Sequence, residues 1–199
     1  MKYFSKMEIK YERTLVFIDD GYLSKISKEL GGGKYLKIDY PKFARYLSIK
    51  EGLWCEHIYY YTAPPYQSPK PTKEEASRKA GYDSFIDRIK KKGEVTVREG
   101  RLQKADGFFI QKGVDTLLTM DLLEAPIERG IKTIILIACD TDFVPILNKI
   151  RKEKGIKVIL YYYTDKQRRS KFSMSNHILT ACDKTVLLTK EFFTKNLKN

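Results

Sequence analysis

The chain has 199 residues, and its 38 lysines and arginines outnumber its 25 aspartates and glutamates, giving a formal net charge of +13. No apolar run approaches the ~18 residues of a membrane-spanning helix, the first residues lack the apolar core of a signal peptide, and three separated cysteines argue against a disulfide framework or a zinc knuckle. We therefore expect one cytoplasmic domain over residues 1–199 with an anionic partner, nucleic acid before an acidic membrane surface.

Hydrophobic periodicity divides the chain into alternating strands and helices. In chain order, the first half predicts a strand at 14–19, a turn at 20–21 into a helix that ends near 31–33, a helix at 39–51, a strand at 57–62, a helix at 74–92 and a strand at 95–98. The second half predicts a helix at 115–129, a strand at 133–138, a helix from 143, a strand at 156–161, and a final helix, strand and helix at 176–182, 185–188 and 191–197. This alternation predicts a three-layer α/β/α sandwich with a mostly parallel central sheet.

Aspartates follow the two most apolar strands and open one helix. Asp19 closes the first strand, Asp140 and Asp142 follow the strand that ends at Ala138, and Asp115 opens a helix. Ligands of open α/β sheets bind outside the carboxyl ends of the strands, so these carboxylates are expected to converge. Neighbouring carboxylates repel one another, and a hard divalent cation such as Mg²⁺ or Mn²⁺ relieves that repulsion. The pattern therefore predicts a metal site able to act on a phosphodiester.

Each aspartate also has a structural interpretation. Asp142 can cap the helix that follows it, and Asp115 can complement the dipole of the helix that it opens. A carboxylate closing a buried strand, as Asp19 does, must find partners or a cation. Asp121 lies six residues after Asp115, about 240° around the helix, so it either supports the metal site or lies on the surface. Asp20 is interpreted as a solvated turn residue.

Basic and aromatic residues near the same sheet edge provide a surface for nucleic acid. The candidates for contacting its phosphates are Lys112, Arg168, Arg169 and Lys171. Arg101 and Lys104 extend this path, although a solvated basic loop is the alternative explanation for such residues. Tyr66 and Tyr163 lie near loops, where they could stack on unpaired bases.

Three blocks of sequence resemble, in order, the signature blocks of NYN-domain proteins, in particular their LabA-like branch. The blocks are residues 17–23, residues 112–115 followed by Asp121, and residues 138–145. The resemblance extends from about residue 14 to residue 183 and implies a single domain of the PIN-like nuclease superfamily. It further implies that acidic residues hold Mg²⁺ or Mn²⁺ and that RNA is the substrate. By motif position those acids are Asp19, Asp115, Asp140 and Asp142, with Asp121 as an additional metal candidate.

Two positions depart from the family pattern. Many NYN proteins have Asn shortly after the first acid, where this chain has Tyr22, and Cys139 replaces the usual Gly before Asp140. Tyr22 removes an amide that could position water or metal. Cys139 is interpreted as an inert small side chain rather than as a ligand for softer metals.

These observations support a first hypothesis, a metal-dependent ribonuclease in which Asp19, Asp115, Asp140 and Asp142 are catalytic and Lys112 supports the site. The alternative is a non-catalytic nucleic-acid-binding or regulatory module with the same fold. A phosphatase for small phosphates is disfavoured by the net charge and by the lack of an Asp-x-Asp nucleophile block at the first strand. RNA, single-stranded or structured, is the expected partner, no membrane partner is expected, and a homo-oligomer is compatible with the sequence.

Overall fold

A parallel six-stranded sheet forms the centre of the computed structural model, which describes residues 11–105, 108–165 and 175–194. The strands are β1 (Glu12–Asp19), β2 (Leu53–Thr62), β3 (Val95–Glu99), β4 (Arg101–Ala105), β5 (Phe108–Lys112), β6 (Thr133–Ile137), β7 (Lys157–Tyr162) and β8 (Lys184–Leu187). The helices are α1 (Asp20–Leu30), α2 (Tyr40–Lys50), α3 (Lys73–Lys90), α4 (Val114–Glu128), α5 (Val144–Lys154), α6 (Asn176–Thr180) and α7 (Lys190–Thr194), with a 3₁₀ turn at Thr141–Phe143.

The order of strands in the sheet is β3-β2-β1-β6-β7-β8, and every neighbouring pair is parallel. The central pair is β1 and β6, in which Ile18 lies opposite Ile137. From this pair the chain winds outward in two directions, to β2 and β3 on one side and to β7 and β8 on the other. The predicted α/β class with a parallel central sheet is confirmed.

The position of β1 between two layers of helices explains why its residues 15–18 are all apolar. Its residues alternate between two cores, with Leu15 and Phe17 packed against α4, α5 and α6, and Val16 and Ile18 packed against α1, α2, α3 and α7. All four side chains are fully buried. A strand covered by helices on both faces has no solvent side, so no polar residue interrupts the run. The two cores are the interfaces of the three-layer sandwich.

Local sequence signals set the helix boundaries. The side chain of Asp39 accepts a hydrogen bond from the backbone N of Lys42 and starts α2, with Pro41 in the first turn. Thr72 and Glu75 form a capping box at the start of α3. Pro126 lies within the last turn of α4 and does not end the helix, which continues to Glu128. None of the helices in the described residues is both long and apolar enough to cross a membrane.

An antiparallel hairpin between β3 and α4 has no counterpart in the predicted element order. Strands β4 and β5 pair with each other and form a separate two-stranded sheet. Gly100 connects β3 to this hairpin, and a methyl group at Gly100 would lie 2.5 Å from the carbonyl oxygen of Lys112. Gly113 takes a left-handed φ of 84° between β5 and α4. Glycine at both ends therefore lets the hairpin fold back tightly beside α4.

Candidate active site

The carboxyl ends of β1 and β6 lie side by side at the point where the winding of the sheet reverses. Open α/β sheets bind their ligands in the crevice outside the strands at this point. Asp19 is the last residue of β1, and its register partner on β6 would be the residue after Ile137. Asp140 follows three residues after Ile137, at the N-terminus of the 3₁₀ turn. The topology therefore directs the predicted acids from the two central strands to one crevice.

Asp19 is a half-buried carboxylate with little compensation for its charge. Its side chain caps α1 and accepts a hydrogen bond of 3.3 Å from the backbone N of Tyr22. Burial raises the pKa of Asp19 to about 6, the hydrogen bond from Tyr22 lowers it, and the negative charges of Asp115 and Asp20 raise it further. An Asp with this pKa exchanges its proton close to neutral pH, which is common at functional sites.

The other three predicted acids belong to the same electrostatic group. Asp115, an exposed residue in the first turn of α4, has a pKa that is raised by partial burial and then by the charges of Asp140 and Asp142. The side chain of Asp140 accepts a hydrogen bond of 2.9 Å from the backbone N of Asp142. Asp140, not Asp142, is thus the capping residue of this segment. Because the charges of Asp140 and Asp142 raise the pKa of Asp115, and that of Asp115 raises the pKa of Asp19, the four predicted acids share one region of negative potential.

Asp121 has different surroundings. It is 5% exposed, and both of its oxygens accept hydrogen bonds, from Arg98 Nε and Nη2 at 2.9 and 2.8 Å and from the hydroxyl of Tyr61 at 2.9 Å. The pair with Arg98 is a bidentate salt bridge, which compensates the charge of the carboxylate. As the sequence spacing indicated, Asp121 does not share a face with Asp115. Its oxygens connect α4 to β2 and β3, which is a structural task and not that of a metal ligand.

Asp20 is not the solvated turn residue expected from the sequence. Its Oδ1 accepts hydrogen bonds from the hydroxyl of Tyr40 at 2.8 Å and from that of Ser24 at 3.0 Å, and its Oδ2 accepts one from Thr62 at 3.5 Å. These partners come from α2, α1 and the end of β2. The sequence showed two adjacent aspartates but not the buried hydroxyls around the second, so the interpretation as a turn residue was wrong. Asp20 holds the start of α1 beside the sheet.

The structure shows the contacts of Tyr22 and the surroundings of Cys139, the two residues that depart from the family pattern. The hydroxyl of Tyr22 donates to the carbonyl oxygen of Tyr163 at 3.3 Å and accepts from its backbone N at 2.8 Å, which ties α1 to the residue after β7. Burial and the charges of Asp19 and Asp140 raise the pKa of Cys139 to about 11. The thiol therefore stays protonated at neutral pH, which supports the interpretation of Cys139 as an inert side chain.

The acids interact through their charges without forming a closed ligand cage. Within residues 11–105, 108–165 and 175–194, no three His, Cys, Asp or Glu side chains lie close enough together to hold a metal ion as they stand. The predicted donors are all carboxylate oxygens, the ligand type that Mg²⁺ and Mn²⁺ prefer. A cation would remove the repulsion that, in addition to burial, now raises the pKa values of Asp19 and Asp115.

Of the basic residues predicted to contact nucleic acid, Lys112 lies at the end of β5, while Arg168, Arg169 and Lys171 lie outside the described residues. Lys112 is directly opposite Arg101 on the hairpin. Both line a cleft of about 480 Å³ that Thr116 and Leu117 of α4 complete. Glu99 also lines this cleft, which therefore presents two cations and one carboxylate.

The hairpin also brings a residue to the acids that the sequence did not single out. A methyl group at Gly21 would lie 3.2 Å from Oδ1 of Asp19 and 3.7 Å from Oε1 of Gln111. The amide of Gln111 on β5 is therefore close to the carboxylate of Asp19. The dipeptide Asp106-Gly107 is the usual signal of a two-residue hairpin turn and would have pointed to this hairpin.

Comparison with known proteins identifies the family and the fold to which this site belongs. A model of the NYN domain family matches residues 13–189. Among solved structures, a protein of unknown function from Vibrio parahaemolyticus aligns with a TM-score of 0.61 at 20% sequence identity, over 92% of this chain and 96% of that chain. At that identity the likeness shows the fold alone. A comparison with curated proteins found no match.

Proposed function

The chain belongs to the NYN domain family and hence to the PIN-like nuclease superfamily, and from this premise we propose that it is a metal-dependent ribonuclease that hydrolyses RNA phosphodiester bonds. The observation that carries the proposal is the group of acids at the sheet's switch point, where burial and then the charges of Asp115 and Asp20 raise the pKa of Asp19 to about 6. We further propose that it belongs to the LabA-like branch, which the three blocks at residues 17–23, 112–121 and 138–145 resemble.

The donor chemistry fits Mg²⁺ or Mn²⁺. Asp19, Asp115, Asp140 and Asp142 would hold the ion through carboxylate oxygens, and their repulsion provides a driving force for binding a cation. When bound, the ion would polarise a phosphoryl oxygen and lower the pKa of an attacking water. Asp121 is left out of this set because Arg98 and Tyr61 occupy its oxygens.

The chain's own residues have distinct tasks in this proposal. Asp140 is fixed by its hydrogen bond with the backbone of Asp142, so its free oxygen keeps a defined direction. Without a cation, Asp19 is mostly protonated below about pH 6, so there the proton competes with the cation for its carboxylate. Lys112, with Arg101 opposite it, would bind the phosphate backbone of the substrate. We therefore expect RNA cleavage to increase as the pH rises through about 6.

The test is RNA cleavage by the purified chain with Mg²⁺ or Mn²⁺, compared with the Asp140→Asn variant and with EDTA. We expect cleavage to fall at least 100-fold in both cases, because the variant loses a charged ligand and EDTA removes the cation. Asp87→Asn, an exposed Asp to Asn change on α3, is the matched control and should leave cleavage unchanged. Cleavage that survives both Asp140→Asn and EDTA would contradict the metal-site assignment.

The alternative is a non-catalytic nucleic-acid-binding module. It is favoured by Tyr22, which stands where the family pattern has Asn. The hydroxyl of Tyr22 hydrogen-bonds the backbone of Tyr163. RNA binding without cleavage by any tested divalent cation would support this alternative and reject the ribonuclease.

A further inference from the structure

The hairpin formed by β4 and β5 exposes three consecutive large apolar side chains. Phe108, Phe109 and Ile110 are 74%, 57% and 42% exposed. Burying such side chains elsewhere would be favourable, so a run of them on the surface marks a binding surface more often than an isolated apolar residue does. The two strands also carry Arg101, Lys104 and Lys112 and no acidic residue.

The two faces of this hairpin differ in what they approach. Directly opposed residues of an antiparallel pair project to the same face, and successive residues alternate between faces. Lys104 lies opposite Phe109, and Gln111 is two residues further along β5, so these three share one face. Phe108 and Ile110 belong to the other face. We call the face of Lys104, Phe109 and Gln111 the inner face.

One end of the inner face lies close to the predicted acids. At one end, the amide oxygen of Gln111 and Oδ1 of Asp19 are no more than about 7 Å apart, since a methyl group at Gly21 would be 3.7 Å from the first and 3.2 Å from the second. Two residues away, about 7 Å along a strand, is Phe109. Its ring centroid lies 5.4 Å from that of Tyr66, with the rings tilted by 52°.

This arrangement fits one chemical class of partner. The exposed ring of Phe109 beside the half-buried ring of Tyr66 offers a face for an unpaired base, and a lysine opposite Phe109 offers a contact for a phosphate. A duplex keeps its bases stacked inside and cannot use the aromatic side chains in this way. A second copy of this chain is disfavoured, because its net charge is also +13 and would repel the basic hairpin.

We propose that the inner face, together with Tyr66, binds single-stranded RNA and guides it to the acids. Phe109 and Tyr66 stack on an unpaired base, Lys104 contacts the backbone, and Gln111 lies where the strand reaches Asp19. The proposal rests on the proposed function for the identity of the polymer, but it concerns binding and does not require cleavage.

The test is fluorescence anisotropy of a labelled, unstructured 12-nucleotide RNA with the full chain in EDTA, where cleavage does not interfere. We expect Phe109→Ala to weaken binding about tenfold, the size of effect found when a stacking aromatic side chain is removed. Phe109→Trp, which keeps an aromatic face, should bind within twofold of the parent chain. Lys104→Ala should weaken binding and reduce the slope of log affinity against log salt concentration by about one.

Phe108→Ala is the matched control, because it removes the same side chain from the neighbouring and more exposed position, on the other face and at the opposite end of β5 from Lys112. It should change affinity less than twofold. Equal losses for Phe108→Ala and Phe109→Ala, or no loss for either, would overturn the proposal. So would a change of oligomeric state on sedimentation of Phe109→Ala, which would make the hairpin a contact between copies of the chain.

The outcomes separate this proposal from the ribonuclease. If Asp140→Asn abolishes cleavage while Phe109→Ala changes neither binding nor cleavage, the inner face does not bind RNA, and the ribonuclease proposal is supported. If Phe109→Ala weakens binding and no divalent cation supports cleavage, RNA binding by the inner face is supported and the ribonuclease proposal is rejected.

Discussion

Asp19 and Asp121 are both withdrawn from solvent, yet their surroundings are opposite in charge. Asp121 receives three hydrogen bonds from Arg98 and Tyr61, two of them from a guanidinium group. Asp19 accepts from backbone N atoms, of Tyr22 and more weakly of Gly21, and its neighbours include the negative charges of Asp115 and Asp20. A buried carboxylate that the chain itself compensates stabilises the fold, whereas one left uncompensated is suited to a cation from outside. The contrast separates an acid that the chain itself compensates from one that we propose binds a cation.

Removing the compensated acid should have the largest effect on stability. We expect Asp121→Ala to lower the free energy of unfolding by about 3 kcal/mol, because the buried hydroxyl of Tyr61 loses its acceptor and Arg98 its ion pair. Most of the loss should come from Tyr61, since the Arg98 side chain is 43% exposed and can be solvated by water. Urea unfolding measures this difference.

Asp87→Ala is the control for that measurement, since Asp87 is exposed on α3. It should change stability by less than about 0.5 kcal/mol. A similarly small change for Asp121→Ala would mean that compensation by Arg98 and Tyr61 does not stabilise the fold, and the contrast with Asp19 would fail.

Removing the charge of Asp19 should raise the free energy of unfolding, whereas removing Asp121 should lower it. Its pKa in the folded chain, about 6, is above its ordinary value of 3.8, so ionisation favours the unfolded chain. The stability that this raised pKa contributes is fully present below pH 3.8 and is lost as the pH rises through 6. Asn keeps the helix cap and lacks the charge. We expect Asp19→Asn, in EDTA, to add about 2 kcal/mol at pH 8 and nothing near pH 3.5.

Thermal unfolding of Asp19→Asn and the parent chain at several pH values tests this sign. The variant should unfold at a higher temperature at pH 8 and at the same temperature near pH 3.5, while losing RNA cleavage in the presence of Mg²⁺ or Mn²⁺. A variant less stable than the parent at pH 8 would show that Asp19 is compensated after all, as Asp121 is.

The sequence contained enough information for the fold and for the acids of the sheet edge. The apolar runs 14–18 and 133–138 predict buried parallel strands, and the residues that end them identify Asp19 and Asp140. The partners of Asp121 could not be found in this way. Arg98 is 23 residues away on another element, and pairing across elements leaves no local pattern.

The hairpin escaped prediction for a different reason. Its strands are exposed, so no buried face imposes an alternation of apolar and polar residues, and Phe108, Phe109 and Ile110 follow one another without a period. Only the dipeptide Asp106-Gly107 signals a turn there. An exposed hairpin is thus harder to recognise from sequence than the buried core beside it.

Tyr22 gives the smallest and sharpest test, because it lies next to the uncompensated acid but belongs with the structural residues. Its hydroxyl both donates to and accepts from the backbone of Tyr163. We expect Tyr22→Phe to lower the free energy of unfolding by about 1 kcal/mol and to leave RNA cleavage within twofold of the parent. Tyr11→Phe, at a 52% exposed position, should change neither. If Tyr22→Phe instead preserved stability and reduced cleavage more than tenfold, this hydroxyl would act in the reaction. Hydrogen bonding to the chain's own groups would then no longer separate structural from functional residues at this site.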